Sequence, residues 1–294
     1  MKELCKIAAS LGIGFDDDTA PAEGFGEING VRLHWLDWGH ATRPALVFLH
    51  GAGLSAHTWD LVCLNMRDDY HCVALDQRGH GLSDGAFSFG VEEPRADIRG
   101  VVEALSLEKP VFVGMSVGGN NLIAYAGAHA SDMAGAVFVD ICPTVPPGAY
   151  TQGIANDAAM AQARSFEDAV EIAHCIDPRG SKAFKRHTLS YSLEKVPDGS
   201  WCLRYERNKI ERSAAYMAER RERLWSYVPR VTCPSLVVHG ADSFAQTFEN
   251  LEQFRAKLPD AAIIQISGAG HDVQEDQPKA LAEAIRGFLT RIGY

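Results

Sequence analysis

The sequence predicts an α/β protein built on a mostly parallel sheet with helices on both faces. Three observations carry this expectation. Short, unbroken apolar runs recur along the chain, as buried parallel strands require. Helix-like stretches separate most of them, and strand-helix alternation implies an open α/β sheet. Finally, 294 residues, 46% hydrophobic and 22% charged, are enough to fill one sizeable core.

The elements follow in order. Residues 1–26 read as an N-terminal helix and a polar linker. The alternating run from Val31 to Trp38 reads as a strand with one solvated face. Buried-strand runs follow at Ala45–Leu49, Cys72–Leu75, Val111–Val113, Ala136–Val139, Ser235–Val238 and Ala262–Ile266. Helical stretches are expected at about 92–107, 118–130, 246–257 and 277–291. Between Pro143 and Pro229 no buried-strand run occurs. That interval opens with a Pro-rich turn and reads as a mainly helical insertion between two strands of the sheet.

The net charge of −10 argues against non-specific binding to nucleic acid or to an anionic membrane, since both need a basic face. Seven scattered cysteines with no CxxC pair read as free thiols of a reducing cytoplasm. No signal peptide or membrane-spanning run is read in the sequence. No metal-ligand spacing such as HExxH occurs.

In open α/β sheets, function gathers at the carboxyl ends of the strands. Three loops there carry chemistry. Gly114-Met115-Ser116-Val117-Gly118 is a G-x-S-x-G turn between a strand and a helix, which would hold the Ser116 hydroxyl above the sheet in a strained conformation. His50-Gly51-Ala52-Gly53 is a glycine-rich loop that can aim the Ala52 N–H at the same point as the Val117 N–H, as an oxyanion requires. Ser267-Gly268-Ala269-Gly270-His271 follows the last strand, where the Ser…Asp…His chain order puts the general base. Two carboxylates stand where either could orient that imidazole: Asp140, one strand after the serine, and Asp242, one strand before the histidine. Gly51, Met115, His57 and Trp59 flank these loops and are candidate substrate contacts. Arg78 and His80, in the next turn, read as structural.

Together these motifs resemble the α/β-hydrolase superfamily, and within it the esterase, lactonase and carbon–carbon-bond hydrolase branch. His50-Gly51 is similar to that family's oxyanion loop, and Asp76-Gln77-Arg78-Gly79-His80-Gly81-Leu82-Ser83 to its D-x-R-G-x-G-x-S turn. The resemblance covers residues 27–142 and 230–291. It implies an eight-stranded sheet, a core of residues 27–142 and 230–294, and a substrate-selecting cap at 143–229, inserted after the sixth strand. Most members place the acid three residues after the glycine that ends the penultimate core strand. Here that glycine is Gly240 and the third residue is Ser243. A subset of small esterases has serine there and the acid after the preceding strand, which favours Asp140 and makes Ser243 an auxiliary hydroxyl.

The function so implied is hydrolysis of carboxylic esters or lactones of a small, largely apolar substrate through an acyl-enzyme, with no cofactor and no metal. Hydrolysis of carbon–carbon bonds in 1,3-diketones or ring-cleavage products uses the same groups and is a second reading. A non-catalytic ligand receptor on the same fold is a third. The expected partner is a small molecule, and the expected state is a monomer or homodimer. A serine nucleophile disfavours the dehalogenase and epoxide-hydrolase branches, whose alkyl-enzyme chemistry needs a carboxylate. Aromatic residues of 143–229, namely Tyr150, Phe166, Phe184, Tyr191, Trp201, Tyr205, Tyr216, Trp225 and Tyr227, are expected mostly to pack its helices together, with some lining a pocket.

Overall fold

A computed structural model describes residues 1–15, 18–85, 90–196, 201–204 and 214–294. In chain order its elements are α1 (Lys2–Ser10), β1 (Ala22–Ile28), β2 (Val31–Asp37), β3 (Ala45–Leu49), α2 (Asp60–Met66), β4 (His71–Asp76), α3 (Glu92–Ala104), β5 (Val111–Met115), α4 (Val117–His129) and β6 (Gly135–Val139). Then come α5 (Pro147–Met160), α6 (Phe166–Ile176), α7 (Lys182–Ser192), β7 (Leu193–Lys195), β8 (Trp201–Leu203) and α8 (Ala214–Tyr227). The chain closes with β9 (Ser235–Gly240), α9 (Phe248–Arg255), β10 (Ala261–Ile266), α10 (Val273–Asp276) and α11 (Pro278–Ile292).

Eight strands form one sheet in the order β1-β2-β4-β3-β5-β6-β9-β10. β1 and β2 pair antiparallel, as do β2 and β4, and every other neighbouring pair is parallel. The uniformly apolar sequences of β3, β5 and β6 follow from this placement: each is buried along its whole length. Two apolar clusters sandwich the sheet. One includes Leu46, Phe48, Val113, Val139, Ile285 and Phe288. The other includes Val47, Phe112, Phe138, Leu122, Tyr125 and Phe254. The alternation of Leu46 and Phe48 on one face with Val47 on the other is the two-residue period of a strand covered on both sides. In α11 the buried residues Leu281, Ala282, Ile285, Phe288 and Leu289 recur at helical spacing and face the sheet.

Two elements differ from the sequence expectation. The linker residues 22–26 are part of β1, an edge strand whose glycines and exposed side chains disguise it. Among the described residues of the segment from 143 to 229, a short antiparallel ribbon of β7 and β8 follows α7, with Leu193 opposite Leu203. Ser165 and Ser181 accept hydrogen bonds from Asp168 N and Phe184 N, capping α6 and α7. All seven cysteines are free thiols. Among the described residues, no helix is long and apolar enough to cross a membrane.

Backbone packs closely on backbone under the candidate site. A Cβ at Gly118 would sit 2.4 Å from the Leu49 carbonyl oxygen and 2.6 Å from that of His50. This close approach seats α4 against the end of β3. Gly118→Ala is therefore expected to destabilise the fold by about 1–3 kcal/mol, because backbone meets backbone and neither can step aside. Gly287, within α11, has nothing within 4 Å of the same position, so Gly287→Ala should stabilise by about 0.4–1 kcal/mol. Urea midpoints of the two variants against the parent chain check both signs.

Candidate active site

The parallel strands β3, β5, β6, β9 and β10 bring their carboxyl ends to one edge of the sheet, and the three glycine-bearing loops meet there. Ser116 is the residue between β5 and α4, with φ 52° and ψ −119°. A non-glycine residue at this positive φ is strained, and the surrounding packing holds it. A Cβ at Gly114 would lie 2.8 Å from the Gly118 carbonyl oxygen, and one at Gly119 would meet Ile141 at 2.3 Å, so the turn closes only without those side chains. Val117 opens α4, where backbone N–H groups lack intrahelical acceptors and the helix dipole favours negative charge.

The loop after β3 lies against this turn. A Cβ at Gly51 would approach Met115 Sδ to 2.7 Å and Ser116 Cβ to 3.3 Å, and Ala52 packs against Val117. The loop is fixed from below by His50, which is fully buried. Its Nδ1 donates to the Gly51 carbonyl at 2.7 Å, and its Nε2 accepts from Gln77 N at 3.1 Å. Gln77 Nε2 donates to the His50 carbonyl at 2.6 Å, and Asn121 Nδ2 donates to Gln77 Oε1 at 2.7 Å. Burial lowers the pKa of His50 and keeps the ring neutral, as one donating and one accepting nitrogen require. Neighbouring His80 is pushed down to about 3, chiefly by burial.

The imidazole of His271 is held by Asp140, not by Asp242. Its Nδ1 lies 2.7 Å from Asp140 Oδ2. Asp140 is fully buried, has a positive φ of 49°, and receives two further hydrogen bonds: from Gly240 N to Oδ1 at 3.1 Å and from Ser243 Oγ to Oδ2 at 2.5 Å. Asp242 is tied instead through its backbone N–H to the Ala269 carbonyl at 2.9 Å. The two halves of the site are joined through the sheet edge, where Ser116 N donates to the carbonyl of Val139, the residue before Asp140, at 3.3 Å. Burial alone would lower the pKa of His271. The hydrogen bond and charge of Asp140, aided by Asp272 and Asp276, reverse the sign and hold it above the ordinary histidine value.

The other candidates fall in different places. Met115 is buried beneath Gly51. Trp59 belongs to the core rather than to a pocket edge, because its ring is wholly buried with its centroid 5.3 Å from that of Phe48. His57 is also buried, hydrogen-bonded to Asp60 and stacked on Tyr191, so it turns away from the role of a substrate contact. Arg78 forms a two-point pair with Asp97 at 2.5 and 2.7 Å. In the segment from 143 to 229, Phe184 is buried in the main core and Tyr227 against α4, while Leu203 and Tyr216 pack against Val117. Tyr205 lies outside the described residues.

Sequence reasoning missed three supports. Gln77 and Asn121 carry the glycine loop that follows β3, and their polarity inside buried elements was the available signal. The third is Arg179, whose guanidinium fills the space a Cβ would take at Gly270, with Nη2 at 2.6 Å, so the inserted segment reaches the histidine loop directly. Nothing in the local sequence around Arg179 announces that contact.

A strained serine at a strand-to-helix turn, a carboxylate-held histidine and a glycine loop at one sheet edge define the hydrolase class built on this fold. The chain belongs to the alpha/beta hydrolase family, whose model matches residues 46–284. It is 36% identical over 274 residues to a non-heme chloroperoxidase of Streptomyces lividans, covering 89% of this chain and 97% of that one. It is 29% identical over 274 residues to an esterase of Mycobacterium tuberculosis, covering 89% and 88%. Among solved structures, that of E-2-(acetamidomethylene)succinate hydrolase superposes with a TM-score of 0.76 at 22% identity, covering 92% of this chain and 99% of that one.

His271 should titrate above the ordinary value of 6.5 when followed by imidazole NMR resonances. Asp140→Asn removes the charge that offsets burial, so the pKa should fall below that of the parent chain. Asp242→Asn should leave it where it is.

Proposed function

We propose that the protein is a serine esterase acting on small, largely apolar carboxylic esters or lactones through an acyl-enzyme. The observation that carries this reading is the 2.7 Å hydrogen bond between His271 Nδ1 and Asp140 beside the strained turn of Ser116. With its proton fixed on Nδ1, His271 offers Nε2 as the general base. It takes the Ser116 proton as Oγ attacks the carbonyl carbon. The N–H groups of Ala52 and Val117 hold the oxyanion of the tetrahedral intermediate. His271 then gives its proton to the leaving alcohol, and water repeats the sequence on the acyl-enzyme. The charge of Asp140 stabilises the imidazolium formed in each half, consistent with the raised pKa of His271. Ser243 fixes the orientation of that carboxylate.

The preference for an apolar substrate rests on what borders these groups. Leu203 and Tyr216 pack, like Ala52, against Val117, and the Phe244 ring lies 5.6 Å from that of His271, edge to face. Val145, Tyr150, Ile154, Phe244 and Phe248 are exposed apolar residues that follow β6 or β9, whose carboxyl ends flank Asp140. In this reading residues 143–229 act as the cap that selects the acyl group. Similarity to several esterases, among them those of M. tuberculosis and Escherichia coli, supports ester chemistry.

Turnover of p-nitrophenyl acetate tests the proposal. Ser116→Ala and His271→Ala should each lower kcat by about a thousandfold or more with little change in KM, and a fluorophosphonate probe should label the parent chain but not Ser116→Ala. Because a protonated His271 cannot act as base, kcat/KM should rise with pH and level off above an inflection higher than 6.5. Unlabelled protein, or activity that survives Ser116→Ala, overturns the reading. Faster turnover of vinylogous 1,3-diketones than of any ester in a substrate panel would move it to the carbon–carbon hydrolases.

A further inference from the structure

A second cluster of ionisable side chains lies where the inserted segment meets the core. His57 stands in the 3-10 turn Ala56–Trp59, Asp60 opens α2, and His187 projects from α7. Asp60 Oδ2 accepts from His57 Nδ1 at 2.8 Å and from His187 Nε2 at 2.7 Å, although 127 positions separate Asp60 from His187 in the chain. The atoms of the three residues able to ligate a metal all lie within 4.8 Å of one another. Tyr191, one turn further along α7, stacks on His57 with ring centroids 3.4 Å apart.

The carboxylate is more deeply buried than its bonding explains. The Asp60 side chain is only 3% exposed, and its other oxygen, Oδ1, is buried with no hydrogen-bond partner. An ionised oxygen in that position is costly unless a cation or donor meets it. Burial works against ionisation of Asp60, yet the two imidazoles outweigh it and lower the pKa.

We propose that His57, Asp60 and His187 bind a divalent transition-metal ion of the zinc class. Two imidazoles and one carboxylate suit Zn²⁺, Co²⁺, Ni²⁺ or Cu²⁺, whereas Mg²⁺ and Ca²⁺ favour oxygen ligands throughout. Around a tetrahedral ion with bonds of about 2.0–2.1 Å, ligand atoms stand roughly 3.3 Å apart. The present nitrogen–oxygen distances must therefore open by about half an ångström. A neutral imidazole that ligates through the nitrogen now facing Asp60 moves its proton to the other ring nitrogen, and a charged one releases it to solvent. The side chains of His57 and His187 are 11% and 16% exposed, which leaves an approach from solvent and a place for water as a fourth ligand. Bound there, the ion joins α7 of the inserted segment to the turn that follows the glycine loop, and holds the two together.

The triad imidazole is itself able to take a transition metal, so the experiment separates the two places. Cobalt chloride is titrated into the full chain and into His271→Ala, His187→Gln and His187→Cys, following the visible absorption of bound Co²⁺. Zinc chloride calorimetry and thermal melts accompany it. One equivalent is expected to bind the parent chain and His271→Ala alike and to raise the melting temperature of both. His187→Gln should bind at least tenfold more weakly. His187→Cys should retain the ion and gain a thiolate-to-cobalt charge-transfer band in the near ultraviolet, a signature that mere loss of folding cannot produce. Binding that survives His187→Gln, binding that disappears in His271→Ala, a cysteine variant without the new band, or no binding by the parent chain below millimolar metal would each overturn the site.

Discussion

One fully buried carboxylate organises the functional edge of this molecule. Asp140 occupies the positive-φ position that follows β6 and draws three donors from two distant stretches of chain: the Gly240 amide and Ser243 hydroxyl at the end of β9, and the imidazole of His271. Its own amide is bonded to the Val238 carbonyl at 2.7 Å, which ties the residue to the neighbouring strand. A buried charge is tolerated only where hydrogen bonds replace water. Here the groups that replace it are the ones the proposed ester hydrolysis needs in fixed positions. Loop placement, imidazole orientation and burial of the acid are therefore a single physical condition.

A second condition is close backbone approach. Gly118 lets α4 come up under β3, Gly51 lets the neighbouring loop lie on Ser116, and Gly240 lets the histidine loop cross β9, where a Cβ would fall 1.9 Å from the Gly270 carbonyl oxygen. None of these residues contributes a functional group. They reduce distances until backbone N–H groups and side chains from different strands point into one volume. Beneath them, the buried chain of His50, Gln77 and Asn121 supplies the rigidity that glycine-rich loops lack.

Much of this was legible in the sequence, for identifiable reasons. Strands such as Ala45–Leu49 and Gly135–Val139 are apolar throughout because both faces are covered, and that pattern is local. The turn at Ser116 is legible because its geometry excludes side chains at fixed offsets. The choice between Asp140 and Asp242 was open on the residues alone, because both follow strands that end at the same edge; only the direction of a side chain in three dimensions separates them. The edge strand β1 was hidden by its glycines and half-exposed residues. Trp59 was placed at a pocket edge from its nearness to the glycine loop, yet it points into the core. The cluster of His57, Asp60 and His187 escaped for another reason: spacing rules read ligands that are neighbours in sequence, and one of these three arrives from a different part of the fold.

The way the chain leaves and rejoins the sheet has a consequence of its own. It departs after β6 and returns as β9, and these two strands are hydrogen-bonded neighbours, with Ala136 opposite Ser235. Because the pair is parallel, everything between Val139 and Ser235 is an excursion that leaves from the carboxyl end of one strand and returns to the amino end of its hydrogen-bonded neighbour. The cost of closing such an excursion grows only slowly with its length, so the sheet sets almost no limit on what is grafted there. That segment can be replaced wholesale while the hydrogen-bonded register beneath it stays unaltered.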